Sequence, residues 1–111
     1  MNEQGSKQPK IITLVAGIWH SNAGGVWQPY ANWYLIVDGE YMATGNKPVA
    51  VSRISPEGEV IGRAEKWLIS SGLVPPSPKG YPFERYCRDE LGIKFSTAIF
   101  EVATKKSLST I

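Results

Sequence analysis

Three observations predict an α+β fold. Segments rich in β-branched and aromatic residues, separated by Gly-, Asn- and Pro-containing turns, fill the first half of the chain. From Ala64 the apolar spacing changes to one helical face, and it does so again after Pro82. One further strand-like run, Lys94 to Ala103, closes the chain. The expectation is a largely antiparallel sheet of about five strands. Two helices in the C-terminal half would pack on one face of it, since their Trp67 and Phe83 sides need burial.

The elements follow in order. Ile11 to Trp19 is apolar, β-branched and too short for a typical helix, so it reads as a buried strand. Ser21-Asn-Ala-Gly-Gly25 reads as a loop, because Gly and Asn tolerate the positive φ of turns. Asn32 to Val37 is a second strand, and Asp38-Gly39 favours a tight hairpin turn into Glu40–Thr44. Val49 to Ile54 is a further strand. Ser55-Pro-Glu-Gly58 reads as a turn, with Glu59–Ile61 pairing back across it.

Ala64, Trp67, Leu68 and Ser71 share a helix face, and Gly72 stands where a left-handed cap belongs, with Leu73 or Val74 to supply its apolar contact. Pro75 to Pro82 holds four prolines and reads as a rigid connector. Pro82 then opens a second helix. Phe83, Tyr86, Cys87 and Leu91 form its apolar face, Glu84 and Arg88 an i,i+4 pair on the other, and Gly92 its end. In the closing strand Ala98, Phe100 and Val102 alternate with Phe95 and Ile99. Apolar residues on both faces predict a place inside the sheet. The domain is therefore expected over 11–103, between flexible tails at 1–10 and 104–111.

Composition excludes several function classes. With 42% apolar and 20% charged residues the chain is globular and not disordered. A net charge of +2 does not by itself argue for nucleic acid. The single cysteine rules out an intrachain disulfide and points to a reducing, cytoplasmic setting. The 27 residues from Ile11 to Val37 carry no Lys, Arg, Asp or Glu, yet His20, Ser21, Asn22, Gln28 and Asn32 interrupt them, which argues for a soluble chain and against a membrane span.

Within that uncharged stretch and just beyond it lies the candidate binding set: Trp19, Trp27, Tyr30, Trp33, Tyr34 and Tyr41, six of the chain's twelve aromatics. Neighbours on a strand point to opposite faces, so Trp33 and Tyr34 cannot both enter a one-sided core. Trp and Tyr bury much area at low entropic cost and are enriched at interface hot spots. The expected function is a small stand-alone, non-enzymatic binding protein, a regulator or inhibitor acting through protein–protein contact, of a kind found on phages and plasmids. Trp27, Tyr30 and Trp33 are its expected anchors. A homodimer through the same surface is the neighbouring expectation. A single-stranded nucleic-acid-binding module is an alternative that the sequence does not favour, because no cation is interleaved with the aromatics between Lys10 and Lys47.

A small enzyme using His20, alone or paired with Cys87, is a further alternative. Cys87 falls on an apolar helix face, where a thiol is an inert hydrophobe. One histidine and one cysteine make no metal site, and Ser21–Gly25 lacks the lysine of a phosphate loop, so neither metal nor cofactor is expected. Arg85, Asp89, Glu90, Gly92 and Ile93 resemble the end of the Nudix hydrolase box. Tyr86 and Ser77 stand where that box has metal-holding glutamates, and Ser71 replaces its glycine, so no metal chemistry is carried over. Trp33-Tyr34-Leu35 with Arg53-Ile54 is similar to the core signature of WYL ligand-sensing domains, which have an Sm-like barrel. The match is short and lacks the family's intervening arginine, so no function is carried over from it either.

Overall fold

The computed structural model describes residues 8–42, 44 and 47–102. The tails expected at 1–10 and 104–111 lie outside these residues, apart from 8–10. The described elements are β1 (Ile11–Ala23), β2 (Val26–Val37), β3 (Glu40–Met42), β4 (Val49–Ala50), α1 (Pro56–Ser70), α2 (Phe83–Tyr86, continuing as a π-helical turn over Cys87–Leu91) and β5 (Lys94–Glu101). The strands form one five-stranded sheet in the order β3-β2-β1-β5, with β4 also on β2. Every pairing is antiparallel except β5 on β1. The chain is α+β, as its patterning predicts.

The stretch expected as a loop between two short strands is instead the outer half of one long hairpin. Ser21, Asn22 and Ala23 belong to β1, and Trp27 to Tyr30 belong to β2, paired without a break from Ile12↔Val37 to Ala23↔Val26. Gly24 and Gly25 alone make the turn. Both hold positive φ, +67° and +83°, which a two-residue hairpin turn requires and which glycine adopts without a Cβ penalty. Pro29 is tolerated inside β2 because its carbonyl accepts from Val51 N–H at 3.0 Å. Its nitrogen shares that side, away from β1, so the β1 ladder is intact, and Gln28 Nε2 donates to the Val51 carbonyl at 2.8 Å in place of the missing N–H.

Asp38 and Gly39 make the second tight turn, with φ of +50° and +85°. The Asp38 carboxylate also accepts the N–H groups of Lys10 and Ile11 at 2.8 and 2.9 Å. One residue thus makes a turn with its backbone and anchors the start of β1 with its side chain.

Residues 55–61 do not form the expected turn and return strand. Pro56 begins α1, where its missing N–H costs nothing and its fixed φ is already helical. Glu57 and Glu59 complement the positive end of the helix dipole. Glu59 also accepts Ser52 N–H at 2.7 Å and pairs with Arg63 at 3.3 Å, tying the incoming chain to the first turns. The strand expected over 49–54 shortens to Val49–Ala50.

At the far end Gly72 takes φ +82°, and the N–H groups of Leu73 and Val74 return to the Leu68 carbonyl. Val74 is buried, as the expected cap contact requires. α2 starts at Phe83, with Pro82 just outside it. Gly92 ends it in the left-handed region as expected. Arg88 pairs with Asp89 at 3.2 Å and not with Glu84.

The buried cluster joins Ile12, Leu14, Ala16 and Ile18 of β1, and Ala31, Leu35 and Val37 of β2, with Val60, Ala64 and Leu68 of α1 and Phe83 and Cys87 of α2. Phe83 meets Phe95 of β5 edge-on at 6.2 Å. The strand residues in this cluster are the even positions of β1 and the odd positions of β2, one face of the sheet. Among the described strands β5 lies at the sheet edge and not inside it. Its second apolar face therefore needs another explanation.

Candidate functional site

The other sheet face is set by the same alternation. It presents Ile11, Thr13, Val15, Gly17 and Trp19 of β1, Val26, Tyr30, Asn32, Tyr34 and Ile36 of β2, Tyr41 of β3, and Ser96, Ala98, Phe100 and Val102 along β5. Among the described residues, the exposed large hydrophobics are Ile11, Val26, Trp27, Tyr41, Ile54, Phe100 and Val102. All but Trp27 and Ile54 belong to this face, whereas scattered surface hydrophobics would fall on both.

Its centre is a shallow groove of about 590 Å³. The floor is Gly17, whose cross-strand partner is Asn32. A Cβ built on Gly17 would meet nothing within 4 Å, so the floor is open above the backbone. Tyr34 and Tyr41 wall one side, their rings 5.1 Å apart and tilted by 51°. Phe100, 61% exposed, and Val102 wall the other. Towards the hairpin tip Trp19 and Tyr30 stack at 6.3 Å and 20°. Towards the opposite end the hydroxyls of Thr13 and Ser96 meet at 3.4 Å. Lys94, at the end of β5, is the one charged strand residue that alternation puts on this face.

Four of the six expected aromatics, Trp19, Tyr30, Tyr34 and Tyr41, thus share one surface. Trp33 does not. It lies on the core side, packed against the buried cluster, and its carbonyl accepts from Thr44 Oγ1 at 2.9 Å. Trp27 is 39% exposed but stands near the hairpin tip with its side chain on the core side of the strand. The side that Trp27 takes was hidden by the loop reading of 20–32, since only a continuous strand fixes it; Trp33 lies in a strand on either reading, and which side of that strand faces the core is set by the pairing with β1. Val15, Gly17, Asn32, Phe100 and Val102 belong to the groove and were not expected there. The alternation of Phe100 with Val102 is visible in sequence. Its partnership with Gly17 depends on the parallel pairing of β5 with β1, which no local pattern carries.

His20 stands opposite Pro29. Cys87 is fully buried. Burial, assisted by the Glu65 and Glu84 carboxylates, pushes its thiol up to about 11, so no thiolate is present at neutral pH. Among the described residues no group of three His, Cys, Asp or Glu is placed to hold a metal ion, and no helix is long and apolar enough to cross a membrane. The carboxylates of the Nudix-like segment are engaged with Tyr81, whose hydroxyl lies 3.3 Å from Glu90 and 3.5 Å from Asp89.

Fold and groove together describe a small α+β protein with a half-covered sheet. No protein-family model, curated protein or solved structure matches the chain.

Proposed function

We propose that this chain is a non-enzymatic binding protein that engages a protein partner through the uncovered face of its sheet. The observation that carries the reading is the segregation of exposed apolar side chains onto one face, around an aromatic-walled groove without charge. Exposed apolar patches of this kind mark interfaces. Tyr34, Tyr41 and Phe100 are the anchors, with Trp19 and Tyr30 extending the contact towards the hairpin tip. The complement of such a groove is an uncharged, apolar stretch of polypeptide, because a charged group placed there would lose its hydration without gaining an ion pair. Nucleic acid is the weaker reading for the same reason, since phosphate contacts need cations among the aromatics. The single buried thiol supports action in a reducing compartment such as the cytoplasm.

The test is capture of the partner from the native host with wild-type protein and with Tyr41→Ser and Phe100→Ser. Both positions are more than half exposed, so folding is expected to survive. A protein bound by the wild type and lost from both folded variants supports the proposal. Retention by both variants overturns it, as does a partner that proves to be nucleic acid released by salt.

A further inference from the structure

The two edges of the sheet are built differently. Beyond β2 the edge is broken into β3, three residues long, and β4, two residues long, with Lys47 and Pro48 just before β4. Short strands, lysine and proline are the devices that keep an edge from pairing. The β5 edge is one unbroken strand of eight residues without proline, and its charges, Lys94 and Glu101, stand only at its two ends. Phe95-Ser-Thr-Ala-Ile-Phe100 is uncharged, free of Gly and Pro, and rich in strand formers. Among the described residues no strand pairs with its outer side.

The outward hydrogen-bonding groups can be assigned. Lys94 N–H donates to Lys10 O and Val102 N–H to Ile18 O, both at 2.8 Å. Successive N–H groups on a strand alternate in direction, so the even positions face β1. Phe95, Thr97, Ile99 and Glu101 then hold their N–H and C=O groups outward.

We infer that β5 is a pairing edge for β5 of a second copy of this chain, joined antiparallel about a twofold axis. Such an axis preserves the face of each sheet and sets outward residues opposite one another. With Thr97 opposite Thr97 of the second copy, Phe95 falls opposite Ile99 on both sides of the axis. Thr–Thr and aromatic–β-branched pairs are favourable cross-strand neighbours. No residue of like charge faces its own copy, and the Lys94 end of one strand runs beside the Glu101 end of the other. This self-complementarity selects a second copy over an unrelated strand. The dimer makes one continuous ten-stranded sheet and brings the two apolar faces side by side. It uses the strand edge and not the groove, so it stands or falls apart from the proposed function. A pairing of this length buries less than a standard interface of about 1,600 Å², and a Kd of about 100 µM is the weakest the proposal admits.

The experiment is sedimentation equilibrium of the wild type up to about ten times that Kd, beside Thr97→Pro and a cysteine series. Thr97→Pro removes an outward N–H and leaves the β1 ladder intact, and it is expected to weaken the dimer at least tenfold. Should Thr97→Pro fail to fold by circular dichroism, Thr97→Cys carries the test. Opposed Cα atoms in such a pair lie about 5.5 Å apart, within disulfide reach. Mild oxidation is then expected to give a covalent dimer with Thr97→Cys and none with Tyr41→Cys, while the buried Cys87 stays silent. A wild type that is monomeric throughout overturns the inference. So does a folded Thr97→Pro that still dimerises, or cross-linking at residue 41 in preference to 97.

Discussion

Tyr41 and Trp33 are eight positions apart and show how little residue type says about role. Tyr41 is 64% exposed beside Tyr34, whereas Trp33 packs against the buried cluster. Trp33→Ala is expected to cost about 2–3 kcal/mol of stability, measured by denaturant unfolding, because it leaves a void against the core. Tyr41→Ser should cost less than about 1 kcal/mol, the loss of one ring contact. Cys87 gives a prediction in pH. Its thiol ionises near 9.0 when free and near 11 when buried. Between those values the unfolded state holds fewer protons, so stability falls as pH rises through that window. Unfolding followed from pH 8 to 11 should show this slope in the wild type and a shallower one in Cys87→Ala.

At the scale of elements, the hairpin is the feature that the sequence disguised. β1 pairs with β5 only as far as Ile18, while its pairing with β2 continues to Ala23. Residues 21–23 and 26–28, beyond the backbone bond of Pro29 to Val51, therefore project as a two-stranded ribbon, and two-stranded ribbons are marginal in water. Their amides are expected to exchange faster with deuterium than those of Ile11–Ile18. Equal protection would show that the ribbon is covered. Gly25→Ala should destabilise the turn by about 1 kcal/mol, since alanine is strained at φ +83°.

What was legible in the sequence was local. The Asp38–Gly39 turn, the Gly72 and Gly92 caps and the apolar side of α2 each follow from residues within one turn of one another. The Gly24–Gly25 turn is not legible locally, because Ser21, Asn22 and Gly25 suit a loop as well as a hairpin tip, and the pairing that decides between them is cross-strand. The Pro56 start of α1 is ambiguous in sequence because proline serves a turn and a first helical residue equally well. The edge position of β5 was hidden for the same reason as Phe100: parallel pairing joins residues about eighty positions apart, such as Gly17 and Phe100.

For the molecule as a whole, the absence of charge from Ile11 to Val37 now has two causes. Half of those side chains enter the core, where an unpaired charge would be costly. The other half form the uncovered face, where burial within the chain explains nothing and the proposed protein partner would. Site-specific photo-cross-linking in the native host tests this most directly, with a photoreactive phenylalanine placed at Tyr41, at Phe100 and at Ile54, which is 96% exposed away from the face. The expected result is one protein adduct shared by positions 41 and 100 and missing at 54. Adducts at 54 alone, or none at 41 and 100 in a folded protein, would contradict it.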